Sequence, residues 1–173
     1  MLQASVALAG GGKQRTIGHA LNDDVLTRGA VARLVDIDTR IDGVLLTTYR
    51  ADGLIAATPT GSTGYALSAG GPILHPEALE MLIQPVAAHM SFHTGIVLSR
   101  DSVIELSVSG GHQAVLSVDG AGDTAVDKGE VVVIRRSPHV ALFLRKDPAA
   151  AFYSTLTERL GVSGRRVPPP PGQ

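Results

Sequence analysis

The stretch that most constrains this chain is residues 52–76, D-G-L-I-A-A-T-P-T-G-S-T-G-Y-A-L-S-A-G-G-P-I-L-H-P. Residues 54–57 form a short apolar run typical of a strand, which Pro59 ends. A turn rich in Thr, Ser and Gly follows, and Thr60 or Ser62 can cap a helix that begins there. The predicted order is therefore a strand, a hydroxyl-rich turn and a short helix.

The helix after this turn is predicted to occupy residues 63–69 and to end at Gly70, Gly71 and Pro72. Such a unit presents backbone N–H groups, the positive end of a helix dipole and several hydroxyls at one point, which suits phosphates and sugar hydroxyls. A turn of this composition is also often only a tight connection, and none of the common short nucleotide or nucleophile motifs occurs in it. From spacing alone, a nucleotide-binding turn and a tight connection remain equal alternatives.

Composition favours a single β-rich domain. The 173 residues are enough for one ordinary domain with a core, and they include 20 glycines, 3% aromatic residues and no tryptophan. The core must therefore come from Val, Ile, Leu and Ala, which favours β structure. Cysteine is absent, which excludes disulfides and thiolate metal sites and fits a reducing compartment, so we expect a cytoplasmic protein.

Charge and hydropathy argue against two classes of partner. The net charge is −1 and no long basic run occurs, so nucleic acid is not an expected partner. The apolar runs are far shorter than the roughly 20 residues that span a bilayer, and the first residues lack the pattern of a signal peptide. We expect a soluble, unprocessed protein without membrane contact.

Strand and hairpin signals recur along most of the chain. Strands are predicted at residues 2–9, 31–40, 44–49, 54–57, 103–108, 114–118, 131–136 and 140–144. Asp42-Gly43 and Asp119-Gly120 are turn signals between them, and the G-G-G-K sequence at residues 10–13 is a hairpin turn rather than a phosphate loop. The predicted fold is mainly β, with antiparallel layered sheets.

Helices are predicted at three places. One is the short helix after the T-P-T-G-S-T turn, and a second begins at Pro76 and covers residues 77–82. The third is a C-terminal helix from about residue 149 to residue 160, in which Phe152, Leu156 and Leu160 recur at helical spacing.

Three polar residues, Asn22, Asp23 and Asp24, interrupt the otherwise apolar strand predicted over residues 19–28. Either a β-bulge exposes them or they point into a polar site. The residues alone favour the bulge.

Residues 58–72 read T-P-T-G-S-T-G-Y-A-L-S-A-G-G-P and closely resemble the T-P-T-G-S-T-A-Y-x-x-S-A-G-G-P signature of NAD kinases, which phosphorylate NAD to NADP. The A-L-N-D sequence at residues 20–23 is similar to the N-E motif of that family, and P-V-A-A-H-M-S-F at residues 85–92 is similar to its T-P-x-x-x-H-S-L-S-F. F-Y-S-T-L-T-E-R-L-G at residues 152–161 resembles its closing helix. The resemblance covers residues 2–161, but only the C-terminal part of a NAD kinase.

The resemblance implies a set of NAD-binding residues. Asn22 and Asp23 would hold the nicotinamide-side ribose and amide, which reverses the preference for a bulge, and Asp23 stands where the family usually has Glu. Asp52 would accept hydrogen bonds from the nicotinamide end of NAD. Gly64 replaces the Ala of the family and is expected to cost about 1 kcal/mol in helix propensity. The full implied set is Asn22, Asp23, Arg33, Arg50, Asp52, Thr63, Gly64, Tyr65, Ala66, Leu67 and Ser68.

The departures from the family concern its chemistry. No G-G-D-G occurs in the 173 residues, and because that motif carries the proposed general base and the donor loop, no catalytic residue is predicted in this chain. Ala121 stands where a Gln often touches the dinucleotide, so that contact should be lost. The resemblance implies ATP or polyphosphate as donor with Mg²⁺, neither bound by residues identified here. His89 and His93 lack a third ligand at useful spacing, and no metal site is predicted.

The expected organisation is an NAD-binding β domain over residues 1–145, a helix over residues 146–162 that packs on an N-terminal α/β domain, and a disordered Pro-rich tail over residues 163–173. We expect a truncated reading frame or an excised domain, inactive in isolation. Because family members assemble through this domain, a homo-oligomer is expected. Three functions stay open: the acceptor half of a NAD kinase, a non-catalytic dinucleotide-binding module derived from one, and a β-domain that only mediates assembly.

Overall fold

The computed structural model describes residues 1–10, 14–29, 34–89, 92–109, 113–144 and 151–161, and in these ranges the chain forms twelve β-strands and two α-helices. The strands are β1 (Leu2–Leu8), β2 (Arg15–Ala20), β3 (Asp23–Arg28), β4 (Val35–Ile41), β5 (Val44–Ala51), β6 (Gly53–Ala57), β7 (Met81–Val86), β8 (Ile96–Leu98), β9 (Ile104–Ser109), β10 (Ala114–Val118), β11 (Ala121–Val126) and β12 (Glu130–Arg136). A 3-10 turn, Gly61–Thr63, precedes helix α1 (Tyr65–Ser68), and helix α2 (Ala151–Arg159) follows the strands. The predicted mainly β fold, with a short helix and a C-terminal helix, is confirmed.

The strands form two six-stranded antiparallel sheets. Sheet A has the order β2-β1-β12-β9-β4-β5, and sheet B has the order β11-β10-β3-β6-β7-β8. Asp42 and Asp119 begin tight turns within sheets A and B, and both have positive φ, 53° and 50°. The Gly that follows each Asp also has positive φ, as the hairpin turns that match strand twist require. Both turn predictions are confirmed.

The core lies between the two sheets because alternate side chains of each strand point to the same face. Fully buried residues from both sheets join it, including Ile37 and Tyr49 from sheet A and Leu26 and Ile83 from sheet B. A smaller apolar cluster covers the opposite face of sheet B, where Ala66 of α1 packs with strand residues such as Val25. Helix α1 is therefore fixed to the outer face of sheet B.

Two sequence predictions are wrong. Residues 76 and 77 form a turn instead of starting a helix, and Met81–Val86 is a strand that pairs with β6 in the interior of sheet B. An apolar run of this length suits a buried strand as well as a helix, and the pairing with β6 decides between them. Residues 140–144 form no strand, and Leu142 and Leu144 in this segment are almost fully exposed.

The chain divides into two units, Met1–Ala141 and Leu142–Gln173. The first contains both sheets and α1, and the second contains α2, in which Phe152 and Leu156 are half-buried and Leu160 is exposed. Among the described residues, no helix is both long enough and apolar enough to cross a membrane. The predicted turn residues 11–13, the predicted site residue Arg33 and the predicted tail 163–173 lie outside the described residues.

Candidate functional site

The polar residues near position 22 lie where the chain crosses from one sheet to the other. Strand β2 of sheet A ends at Ala20, and β3 of sheet B begins at Asp23, so Leu21 and Asn22 form the crossing. Strand β3 pairs with β6 and β10 in unbroken register. The bulge that the residues alone favour is therefore absent, and the interruption of the apolar pattern marks a change of sheet.

The carboxylate of Asp119 holds the crossing from one side. Its Oδ2 accepts a hydrogen bond from the backbone N–H of Leu21 at 2.6 Å, and its Oδ1 accepts from those of Asn22 and Asp23 at 2.7 and 3.1 Å. The backbone N–H of Asp119 in turn donates to the carbonyl oxygen of Asp23 at 2.9 Å. Three consecutive N–H groups thus bind one carboxylate, a charge-assisted arrangement that is stronger than neutral hydrogen bonds.

The turn after β6 holds the crossing from the other side. Thr58 donates through its Oγ1 to the carbonyl oxygen of Leu21 at 2.6 Å and through its backbone N–H to that of Asn22 at 2.8 Å. The N–H of Gly61 donates to Thr58 Oγ1 at 3.0 Å. A Cβ on Gly61 would lie 2.0 Å from the carbonyl oxygen of Asn22, so the turn and the crossing meet in direct backbone contact.

The hydroxyl of Ser62 is buried and holds the turn together. It donates to the carbonyl oxygen of Pro59 at 2.7 Å and accepts from the N–H of Leu74 at 2.9 Å. Helix α1 has Gly64 as its N-cap residue, and no side chain caps it. The predicted caps, Thr60 and Ser62, are therefore wrong, and the helix-propensity cost expected at Gly64 does not apply at a cap position, where Gly is well tolerated.

The predicted end of the helix at Gly70 and Gly71 is confirmed. Gly70 has a φ of 87°, its N–H donates to the carbonyl of Leu67 at 2.9 Å, and the N–H of Gly71 donates to that of Ala66 at 2.8 Å. This pair of bonds is a Schellman motif. The side chain of Gln84 donates to the carbonyl oxygen of Ala69 at 3.0 Å and so ties the helix end to strand β7.

The predicted site residues in and near this turn differ in exposure. Asp23 and Ala66 are buried, and Leu67 is half-buried. The residues that solvent and ligands can reach are Asn22, Thr63, Gly64, Tyr65 and Ser68. The arrangement therefore presents an amide, two hydroxyls, a phenol and exposed backbone next to a rigid crossing, which suits the hydroxyl and amide groups of a nucleotide.

Two buried carboxyl groups lie below this surface. Burial raises the pKa of Asp23, and the negative charge of Asp119 raises it further. Burial, Asp119 and Asp23, in that order, raise the pKa of Asp24 to about 8. Neither oxygen of Asp24 has a hydrogen-bond partner among the described residues. Asp24 is therefore a neutral acid at neutral pH, a state that avoids the cost of a buried charge.

Asp52 and Arg50 lie away from the crossing and from the turn after β6. Strand β6 pairs Ala57 with Asp23 and Gly53 with Thr27, so Asp52 precedes one end of β6 while Asn22 lies opposite Thr58 just beyond the other, about 20 Å away along the strand. The Asp52 carboxylate is 3.1 Å from the guanidinium of Arg28, and both side chains are more than one-third exposed. Arg50 approaches Asp36 at 4.0 Å. The predicted residues thus form two groups at opposite ends of β6.

In the described part of the chain, no group of three or more His, Asp or Glu side chains is placed so that it could hold a metal ion. His89 and His93 are both exposed. The described residues therefore offer no three-ligand cluster to the Mg²⁺ that the family resemblance implies, an ion that proteins often hold through one or two carboxylates together with the phosphates of a nucleotide.

Sequence reasoning missed three residues that shape the site. Asp119 was interpreted only as part of a turn, Thr58 only as part of the motif, and Arg28 not at all. The available signal for Asp119 was its closeness in sequence to Ala121, the position at which the family resemblance implies a dinucleotide contact, whereas the pairing of Arg28 with Asp52 depends on the register between β3 and β6.

Comparisons with known proteins agree with the motif resemblance. The family model described as the ATP-NAD kinase C-terminal domain matches residues 21–146. A NAD kinase of Chloroflexus aurantiacus is 43% identical over 150 residues, covering 87% of this chain and 54% of that protein. A NAD kinase of Dehalococcoides mccartyi is 39% identical over 140 residues, covering 81% of this chain and 49% of that protein. The chain spans about half the length of these relatives.

Two solved structures are similar to this fold. One is yeast NADH kinase complexed with NADH, with a TM-score of 0.83 and 31% identity, covering 96% of this chain and 49% of the yeast chain. The other is an NAD kinase from Archaeoglobus fulgidus in complex with ATP, with a TM-score of 0.71 and 28% identity, covering 95% of this chain and 61% of the other.

Proposed function

Because this chain belongs to the NAD kinase family and matches its C-terminal domain, we propose that it is the NAD-binding part of a NAD kinase. The proposed reaction phosphorylates the 2′-hydroxyl of the adenosine ribose of NAD to give NADP. The observation that carries the proposal is the crossing at Leu21 and Asn22, which Asp119 and the T-P-T-G-S-T turn hold rigidly beside exposed polar groups. A surface built only for assembly does not need this rigidity.

We propose that the exposed group around Asn22, Thr63, Tyr65 and Ser68 binds hydroxyl and amide groups of NAD. Its backbone is fixed before any ligand arrives, which lowers the entropic cost of binding. Asp23 would act from below this surface, and Asp52 with Arg50 would form a second contact at the other end of β6. The similarity to a kinase complexed with NADH supports a dinucleotide as the ligand.

The proposed donor is ATP, which the similarity to an ATP-bound NAD kinase supports, or polyphosphate. Phosphoryl transfer depends mainly on positioning and on neutralising charge. We propose that the donor loop and the general base belong to a G-G-D-G motif, which does not occur in these 173 residues. The role of this chain's residues is then to hold the acceptor, and the cytoplasmic location stays a prediction.

The alternative function is a non-catalytic dinucleotide-binding or assembly module derived from a NAD kinase. An assembly module predicts no NAD binding by the chain alone, and none of these functions predicts NADP formation by it. The kinase part and the dinucleotide-binding module both predict NAD binding. They differ when the chain is mixed with the N-terminal half of a related kinase that carries G-G-D-G. NADP formation in that mixture favours the kinase part, and its absence despite complex formation favours the non-catalytic module.

Asp52→Ala is expected to weaken NAD binding by about 1 to 3 kcal/mol, because it removes a carboxylate that accepts hydrogen bonds from the ligand. Isothermal titration of NAD into both forms measures the difference. Arg28→Gln is the matched control, since it breaks the same ion pair but keeps the Asp52 carboxylate. Equal affinities in wild type and Asp52→Ala would reject Asp52 as a ligand contact, and NADP formation by the chain alone would reject the division of labour.

Self-association of the chain is expected. Large apolar side chains are exposed in the second unit, including Leu142, Phe143, Leu144 and Leu160, and exposed apolar groups of this kind favour association. Light scattering over a range of concentrations measures the effect. A molar mass that stays at the monomer value at the highest concentration would contradict it.

A further inference from the structure

The anchoring of the crossing by Asp119 has a counterpart in sheet A that serves as an internal comparison. Asp42 also begins an Asp-Gly turn with positive φ, and its N–H donates to a carbonyl of a neighbouring segment, that of Val103, at 2.9 Å. Its carboxylate accepts from the N–H of Val103 at 2.7 Å and from the hydroxyl of Ser102 at 3.1 Å. In each sheet, therefore, an aspartate at the start of an Asp-Gly turn binds a neighbouring segment through its carboxylate and its backbone N–H.

They differ in what they hold. Asp42 holds residues 102 and 103, which enter strand β9, whereas Asp119 holds the N–H groups of Leu21, Asn22 and Asp23. On the other side of that crossing, Thr58 binds the carbonyl groups of Leu21 and Asn22, and Gly61 packs directly against the carbonyl of Asn22. Asp119 is thus the one side chain in the described structure that binds the N–H groups of three consecutive residues here, the two of the crossing and the first of β3.

We infer that Asp119 is a positioning residue for NAD: its carboxylate sets the backbone of residues 21–23 and thereby the ligand contacts of Asn22. This inference rests on the proposed function. Asp119 does not need to touch NAD for this role. Without this carboxylate the three N–H groups hydrogen-bond to water, and the crossing keeps only its bonds to Thr58. Asn22 then samples several orientations, and NAD binding must order it again.

The test uses matched substitutions of Asp119 and Asp42 in the full 173-residue chain. Asp→Gly removes the carboxylate and tolerates the positive φ, whereas Ala would add backbone strain. Asp→Asn keeps one acceptor oxygen and also tolerates positive φ, so it is the second variant if Asp119→Gly does not fold. NAD affinity is measured by titration calorimetry, and exchange of the amides of residues 21–23 by hydrogen–deuterium exchange.

Asp119→Gly is expected to raise the Kd for NAD by about tenfold or more and to speed exchange of the three amides by a similar factor. Asp119→Asn should give a smaller rise, while Asp42→Gly and Asp42→Asn should leave the Kd within about twofold of wild type. If the Asp119 variants bind NAD as tightly as the Asp42 variants, the inference is wrong and the proposed function stands. If wild type does not bind NAD at all, the proposed function fails and the inference fails with it.

Discussion

Asp24→Asn is expected to remove the loss of stability that ionisation of Asp24 causes in this chain between about pH 4 and pH 8. In the folded chain the pKa of Asp24 is about 8, against an ordinary value of 3.8. The folded state binds this proton more tightly than the unfolded state. The contribution of protonated Asp24 to the free energy of unfolding is therefore complete below the ordinary pKa and is lost as the pH rises to the folded pKa. The slope of the free energy of unfolding against pH reaches about 1.4 kcal/mol per pH unit, and over this range the total change is on the order of 5 kcal/mol.

Urea unfolding of wild type and variant at several pH values between about 5 and 8 measures the slope. The difference between the two isolates Asp24, because Asp119, Asp23 and the other titrating groups remain in both. Asp24→Val should flatten the same slope while also removing the polar group from the core. Asp123→Asn, at an exposed position on β11 of the same sheet, is the control and should keep the wild-type slope. A wild-type slope in Asp24→Asn would mean that this carboxyl is ionised in the folded chain.

Gly61→Ala is expected to destabilise the first unit by about 3 kcal/mol or more and to abolish NAD binding. The new Cβ would lie 2.0 Å from the carbonyl oxygen of Asn22 and 2.4 Å from its carbonyl carbon, and backbone atoms cannot move aside as a flexible side chain can. Relief of the clash requires that the turn and the crossing separate. Thermal unfolding followed by circular dichroism, together with NAD titration, measures both effects.

Gly64→Ala is the matched control three residues further along the same turn. Its Cβ would have one close neighbour, the carbonyl oxygen of Gly61 at 3.3 Å, and its φ of −99° and ψ of −124° lie outside the backbone conformations that Ala prefers. A loss of stability smaller than that of Gly61→Ala is therefore expected, with NAD binding retained, because the contact between the turn and Asn22 is not disturbed. Equal losses in the two variants would show that the contact with Asn22 is not the cause of the loss in Gly61→Ala, and a stable Gly61→Ala would contradict the close backbone contact.

The sequence predicted the parts of the fold that depend on local signals. Alternating strands such as β4 and the Asp-Gly turns at Asp42 and Asp119 follow from side-chain period and backbone conformation, which neighbouring residues determine. The end of α1 at Gly70 and Gly71 follows in the same way. These elements needed no knowledge of distant partners.

The errors occurred where distant partners decide the structure. The apolar run Met81–Val86 becomes a strand because β6 lies beside it, and the run at residues 140–144 remains without strand pairing in the described structure. The crossing at Leu21 and Asn22 depends on Asp119 and Thr58, which are far away in the sequence. The individual site residues were named from the motif, but their separation into two groups along β6 required the register of the sheet.

The long sequence separation of the Asp119 contacts also constrains the order of folding. The bonds from Leu21, Asn22 and Asp23 span 98, 97 and 96 residues, and strand β1 pairs with β12 near the other end of the first unit. Contacts of this range are slow to form because a large loop must close first. During synthesis the T-P-T-G-S-T turn therefore emerges well before Asp119, the residue that completes the hydrogen bonding of the neighbouring crossing. Until Asp119 leaves the ribosome, the backbone N–H groups of residues 21–23 remain open to water and to other chains.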